Sequence, residues 1–220
     1  MTSGFVIAVD GPAASGKGTI ATRLGATYGF PVFDTGLLYR IFGVLAQQRG
    51  IDLDDGRAVA SVAHDWAAKL DDPIYRTREA GEAASRVAVH SQLRAELLKV
   101  QRAFADTPGG AVLDGRDIGT VICPDAPAKL FVTARPEVRA ERRWKQLTSQ
   151  GEAVSIEDVL ADIRLRDARD TGRDTAPLRQ AADAVLLDTS EMTIEQAADA
   201  ARRIVEAARA RWESSPREKT

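Results

Sequence analysis

The sequence predicts an α/β domain built on a five-stranded parallel sheet. Three observations carry that prediction: five short apolar runs, helical periodicity between them, and a glycine-rich turn joining the first run to the first helix. A length of 220 residues suits one domain with a buried core.

Phe5-Val6-Ile7-Ala8-Val9 is a continuous apolar run closed by Asp10-Gly11-Pro12, which reads as a buried parallel strand and its turn. From Lys17, apolar residues recur at helical spacing through Ile20, Leu24 and Tyr28. Pro31-Val32-Phe33 reads as a second strand and Leu37 to Gln48 as a second helix. Residues 55–70 and 81–105 are alanine-rich and helical, parted by the breaker Asp71-Asp72-Pro73. Three further strands are expected at 111–113, 130–132 and 184–187, with helices at 136–149, 155–170 and 193–213. Ser214 to Thr220 is a polar tail. The stretch 34–110 far exceeds the roughly 12 residues that a parallel crossover needs, so it should carry a helical insert. A second surplus lies at 136–182.

Composition excludes several classes. Charged residues at 28 % against 44 % hydrophobic argue against a disordered chain. No apolar run approaches the roughly 18 residues of a membrane span, and MTSGFVIAVD has no basic, signal-like flank. The single Cys123 cannot form an intramolecular disulfide, so a reducing cytoplasm is expected. A formal net charge of −2 offers no global attraction for nucleic acid or membrane. Yet 24 of the 30 basic residues are arginine, whose planar fork grips phosphate at two points.

Gly11-Pro12-Ala13-Ala14-Ser15-Gly16-Lys17-Gly18-Thr19 has the spacing of a phosphate-binding loop between a strand and a helix. Backbone N–H groups and the helix N-terminus would hold triphosphate oxygens, with Lys17 reaching the outer phosphates. Gly18 stands where a Ser or Thr metal ligand is usual, and Thr19 follows one place later. A base-reading Asn/Thr-Lys-x-Asp motif is absent, and the third strand ends in Asp114-Gly115-Arg116-Asp117 rather than Asp-Glu. The rest of the chain should therefore supply a phosphoryl acceptor.

Three clusters fit a phosphorylated acceptor. Asp34-Thr35-Gly36-Leu37-Leu38-Tyr39-Arg40 follows the second strand and should open onto the crevice at the sheet's carboxyl edge. It offers an aromatic face in Tyr39 and a phosphate ligand in Arg40. Asp114, Arg116 and Asp117 end the third strand, suited to Mg²⁺, a phosphate and a base edge. A carboxylate accepts from the exocyclic amine that cytosine and adenine carry and uracil lacks. Arg166, Asp170 and Arg173 are spaced to share one helical face. The same series includes Arg135, Arg139, Arg142, Arg143, Arg164 and Arg169, and a mobile arginine-bearing flap suits phosphoryl transfer.

GPAASGKGT, DTGLLYR, GEAASRVA, LDGRDIGTVICPDAPAKLF, RLRDARDTGR and APLRQAADAVLLDTS, in that order, resemble the bacterial cytidylate kinase family of the nucleoside monophosphate kinases. The resemblance spans essentially the whole chain and implies transfer of the γ-phosphoryl of ATP to CMP or dCMP, with Mg²⁺. It implies a P-loop NTPase fold whose core is 1–36, 106–141 and 174–213, with a CMP-binding insert at about 37–105 and a lid at about 142–173. By that resemblance Gly11 to Thr19 would hold ATP, with Arg142 and Arg143 on the ATP side. Thr35, Tyr39 and Arg40 would meet CMP, and Ser85, Arg94 and Asp117 would read cytosine. Arg116 and Arg173 would contact the CMP phosphate, and Arg166 with Asp170 the ribose. Lys17, Arg116 and Arg173 would be catalytic, while Asp114 and Thr19 are metal candidates acting through water. The family's β extension is missing between Trp66 and Ala80, which marks a short insert.

His64 and His90 read as surface or packing residues and Cys123 as structural, none with a chemical role. A monomer in the cytoplasm is expected, with small-molecule substrates only. A kinase for AMP or UMP, a nucleotide sensor and an arginine-rich RNA binder are the competing readings.

Overall fold

Five parallel strands lie side by side in the order β2-β3-β1-β4-β5: β1 (Phe5–Asp10), β2 (Val32–Asp34), β3 (Gly110–Gly115), β4 (Ala128–Thr133) and β5 (Val185–Asp188). This architecture comes from a computed structural model that describes residues 4–62 and 72–214. Central β1 pairs with β3 from Phe5↔Gly110 to Asp10↔Gly115 and with β4 from Ile7↔Ala128 to Asp10↔Phe131. It is buried on both faces, as its unbroken apolar run requires.

Eight helices complete the described chain: α1 (Lys17–Tyr28), α2 (Thr35–Gln48), α3 (Gly56–Ser61), α4 (Arg78–Val87), α5 (Ser91–Ala105), α6 (Pro136–Ser149), α7 (Ile156–Gly172) and α8 (Ile194–Ser214). Alternate β1 residues serve different cores. Phe5, Ile7 and Val9 pack with Ile20 and Leu24 of α1 and Val205 of α8, whereas Val6 and Ala8 face Leu113, Ile118 and Cys123. A third core is helical, joining Leu38 and Phe42 of α2 to Ala83 of α4 and Leu93 of α5. Gly43 makes that packing close, since a Cβ there would stand 2.8 Å from Ala83 Cβ. Ala140, Leu147, Val159 and Ile163 form a separate small core between α6 and α7. Among the described residues, no helix is long and apolar enough to cross a membrane.

The five strands stand within two residues of their expected places. The helical readings need correction at several points. Residues 81–105 are two helices, interrupted at Ala88–His90, where His90 Nε2 lies 2.6 Å from the Leu53 carbonyl. That tertiary hydrogen bond turns the chain without glycine or proline. Of the expected 55–70 helix, α3 covers Gly56–Ser61, and residues 63–71 lie outside the described chain with His64 and Trp66. Asp72 caps a 3₁₀ turn, Pro73–Arg76, through its side chain and the Ile74 N–H. Helix α2 begins at Thr35 rather than Leu37, because the Asp34 carboxylate accepts from Leu37 N at 3.2 Å. Helix α7 ends at Gly172, so Arg173 stands in extended backbone beyond the helix rather than on its face. An unexpected π-helical turn, Ile118–Ile122, follows β3. Cys123 is buried and unpaired, as a packing residue should be. The tail beyond Ser214 lies outside the described residues.

Candidate active site

The glycine-rich turn runs from the end of β1 to the start of α1. At Gly11 a Cβ would fall 1.9 Å from the Val132 carbonyl oxygen, so only glycine lets the loop pass β4 this closely. Ala14 at φ +57° and Gly16 at φ +91° are left-handed and turn successive amides inward, forming an anion-binding concavity. An alanine in that region costs on the order of 1 kcal/mol, a strain typical of functional loops. The outside of the loop is anchored. Arg139 Nη1 donates to Ala13 O at 3.2 Å, and the Thr189 hydroxyl lies 3.0 Å from Ser15 O. Arg142 donates to Thr189 Oγ1 at 2.9 Å and to Thr189 O at 2.7 Å. Arg139 belongs to the arginine series and Thr189 to the LLDTS segment, and their hold on the loop is invisible in sequence because it falls on backbone carbonyls that no side-chain motif reveals.

Lys17 Nζ lies 3.8 Å from Asp114 Oδ1 and 3.4 Å from Pro12 O. Burial holds Lys17 below the usual lysine range, with Arg116 pushing the same way, and burial raises the Asp114 carboxyl. The absent hydroxyl at position 18 has a spatial counterpart: a Cβ on Gly18 would stand 3.2 Å from Asp114 Oδ2. Asp114 Oδ1 is buried without a hydrogen-bond partner, which fits a hydrated cation beside the lysine. Thr19, the other metal candidate, is exposed and lines a different cavity from the one at Arg116. Among the described residues no three His, Cys, Asp or Glu side chains gather to hold a metal by themselves.

Beyond β3 a buried ionic network begins. Arg116 Nε donates to Asp170 Oδ2 at 2.8 Å, and Asp117 Oδ2 accepts from Arg94 Nη2 at 2.5 Å. Arg173 bridges the two carboxylates, 3.9 Å from Asp117 Oδ1 and 3.9 Å from Asp170 Oδ1. The Arg94 guanidinium carbon lies 5.5 Å from the centre of the Tyr39 ring, a cation–π contact. Burial works to raise the Asp170 carboxyl, and Arg116 and Arg166 outweigh it and hold it low. Arg166 is brought down to about 9 by burial and then by Arg116, with Arg40 and Arg143 adding to the repulsion. Cations gathered so closely favour a polyanion among them. Around this network the buried Ser85 Oγ, Arg166 Nε and Arg173 Nη2 have no hydrogen-bond partner within the protein.

Two cavities flank the loop. One, of about 540 Å³, is lined by Ala13, Arg40, Arg116, Arg143 and Arg166. The other, of about 560 Å³ and mostly apolar, is lined by Gly16, Thr19, Arg142, Thr189 and Met192. Over the first, Arg78 Nε donates to Asp162 Oδ2 at 2.6 Å and Arg169 Nη1 to Glu82 Oε1 at 2.6 Å, tying α4 to α7.

The cytidylate kinase family model matches residues 7–207. The chain belongs to the cytidylate kinase family. It is a kinase that phosphorylates CMP and dCMP with ATP. Cytidylate kinase of Caulobacter vibrioides (strain NA1000 / CB15N) is 69 % identical over 210 residues, covering 94 % of this chain and 98 % of the relative. That of Xanthobacter autotrophicus is 60 % identical over 206 residues, covering 94 % and 99 %. An uncharacterized protein from Eubacterium ventriosum matches in structure with a TM-score of 0.54 at 15 % identity, covering 92 % of this chain and 99 % of its own, which bears on the fold alone.

The residues expected at the acceptor fall into two groups. Tyr39, Arg94, Asp117, Arg173, Asp170 and Arg116 form one connected network, and Arg40 and Arg166 border the first cavity with Arg116. Two others are differently engaged. Thr35 donates its hydroxyl proton to Asp114 O at 2.8 Å, joining α2 to β3. Ser85 is buried on α4, outside the lining of either cavity. On the ATP side, Arg142 grips the loop's backbone, whereas Arg143 borders both cavities.

Proposed function

We propose that the mostly apolar cavity receives the ATP base, that the arginine-lined cavity receives CMP, and that the loop between them carries the triphosphate. What supports this most directly is the gathering of Arg40, Arg116, Arg143 and Arg166 on the lining of one cavity, with Lys17 behind it close enough to Arg116 and Arg166 for each to depress its ammonium. In this reading residues 37–105 are the CMP-binding insert and 142–173 the lid. Mg²⁺ bound with ATP would be held through water at Asp114 and supplies neutralisation of triphosphate charge.

Phosphoryl transfer passes through a loose transition state, so positioning and charge stabilisation do most of the catalysis. A CMP phosphate oxygen is already anionic and attacks in line without a protein base. Lys17 follows the transferring group, and Arg116 and Arg173 hold the acceptor phosphate and the charge that develops on it. Asp117 keeps Oδ2 on Arg94 and uses Oδ1 to accept from the cytosine amine; the Ser85 hydroxyl, which has no hydrogen-bond partner, adds a polar contact once α4 shifts to bring it to the cavity. Arg166 and Asp170 hold the ribose, and Tyr39 and Arg40 hold the base and phosphate from α2. Closure of α7 over α4 excludes water, without which the triphosphate would be hydrolysed. In this reading the enzyme works as a monomer in the cytoplasm, where Cys123 stays a buried thiol, pushed up to about 11 by burial.

An ATP-coupled assay with CMP, dCMP, UMP and AMP tests the reading. CMP and dCMP should lead, and a preference for UMP would overturn the role given to Asp117.

A further inference from the structure

Asp10 is the last residue of β1 and immediately precedes the loop, but its side chain bonds to the segment after β3. Its carboxylate is buried at 4 % exposure and takes two backbone hydrogen bonds: Ile118 N donates to Oδ1 at 2.8 Å and Gly119 N to Oδ2 at 2.7 Å. These are the first two amides of the π-helical turn that begins directly after Arg116 and Asp117. Those amides lie at the start of a helical turn, where backbone donors have no partner within it. We infer that Asp10 is a positioning residue: it ties the strand that carries the ATP loop to the turn that aims Arg116 and Asp117 at CMP.

Geometry separates this joint from the rest of the loop's support. The loop itself is held by other residues, by Arg139 at Ala13 and by Thr189 and Arg142 at Ser15. None of these contacts passes through the Asp10 side chain. Releasing the carboxylate should therefore disturb the acceptor residues more than the triphosphate site. The joint is also sterically tight. A Cβ on Gly119 would meet Asp10 Oδ2 at 3.3 Å and Lys129 Cδ at 3.1 Å, and Lys129 is itself fixed by Pro124 O and Asp183. Ionised, as it is above about pH 7, the carboxylate accepts from both N–H groups, whereas an amide of the same shape offers one acceptor where the two converge.

The inference rests on the reading that Arg116 and Asp117 take CMP, so the test separates the two. Calorimetry measures CMP and ADP affinities for wild type, Asp10→Asn, Gly119→Ala and Asp117→Asn, with Tm and the KM-against-kcat split for each. Asp10→Asn should weaken CMP about tenfold, what one lost buried hydrogen bond is worth, while ADP changes less than twofold. KM for CMP should rise with it, and Gly119→Ala should show the same split more weakly. If Asp10→Asn fails to fold, Gly119→Ala carries the comparison alone. Equal losses for CMP and ADP, or a loss for neither, overturns the inference when Asp117→Asn does weaken CMP. If Asp117→Asn leaves CMP affinity unchanged, the acceptor reading falls and the positioning role falls with it.

Discussion

Arg139 meets Asp167 in a two-point ion pair, with Nη1 3.0 Å from Oδ1 and Nη2 2.6 Å from Oδ2. The same guanidinium donates to Ala13 O in the phosphate loop and to Ala134 O after β4. One side chain on α6 thus fastens α7, the loop and the sheet together, and its fork geometry is what allows several acceptors at once.

Breaking that pair should be costly on the carboxylate side. Arg139 is 3 % exposed, so Asp167→Ala leaves a buried cation without its partner. We expect a loss of about 3 kcal/mol, the usual scale for stranding one member of a buried pair, read from urea unfolding. Arg139→Lys keeps the charge but not the fork, and should raise KM for ATP more than KM for CMP.

Lys17 should act mainly on the chemical step. Lys17→Ala is expected to lower kcat at least a hundredfold, the scale of one lost transition-state donor, with KM for CMP within threefold. Steady-state kinetics at saturating ATP decide it, and unchanged turnover would remove Lys17 from the catalytic set.

Stability should fall as pH rises from about 4 to 7. Burial lifts Asp10 from 3.8 to about 7, with Asp117 and Asp114 nearby acting in the same direction. Between those values the native protein holds a proton that the unfolded chain has released, so each step up in pH favours unfolding. Asp114 is raised by burial as well and contributes with the same sign. Asp10→Asn should flatten the slope of urea midpoint against pH across this window, and a slope as steep as wild type would refute the assignment.

The pairs Arg78–Asp162 and Arg169–Glu82 should control motion more than stability. Arg78 and Asp162 are well exposed, as is Glu82, so each pair is worth under about 1 kcal/mol. The double variant Glu82→Gln, Asp162→Asn should keep Tm within a few degrees and speed amide exchange along α7. Raising salt to about 1 M should speed exchange in wild type in the same way, since screening weakens exposed pairs.

Much of the fold was legible because buried parallel strands announce themselves as unbroken apolar runs, and all five did. Local pattern was a poorer guide where a distant group decides the backbone. The break at Ala88–His90 depends on the Leu53 carbonyl, and the π-helical turn at Ile118 depends on Asp10, 108 residues away. In the candidate site, Lys17 was readable from the glycine spacing of the loop, and Arg116 and Asp117 because charged residues at a strand end have few other uses. Asp10, Arg139 and Thr189 were not, because what ties them to the loop and the turn is peptide groups, which every residue carries and no sequence motif marks. Arg94 lying over Tyr39 was equally hidden, since it needs α2 and α5 to be brought face to face.

Gly18 and Asp114 also set a rule for redesign. The space beside the lysine is occupied either by a side chain on the loop or by a carboxylate from β3, and at 3.2 Å it is too small for both without adjustment. A designer who grafts the hydroxyl found in other phosphate loops onto position 18 should therefore shorten position 114 in the same step, treating the two sites as one unit of exchange.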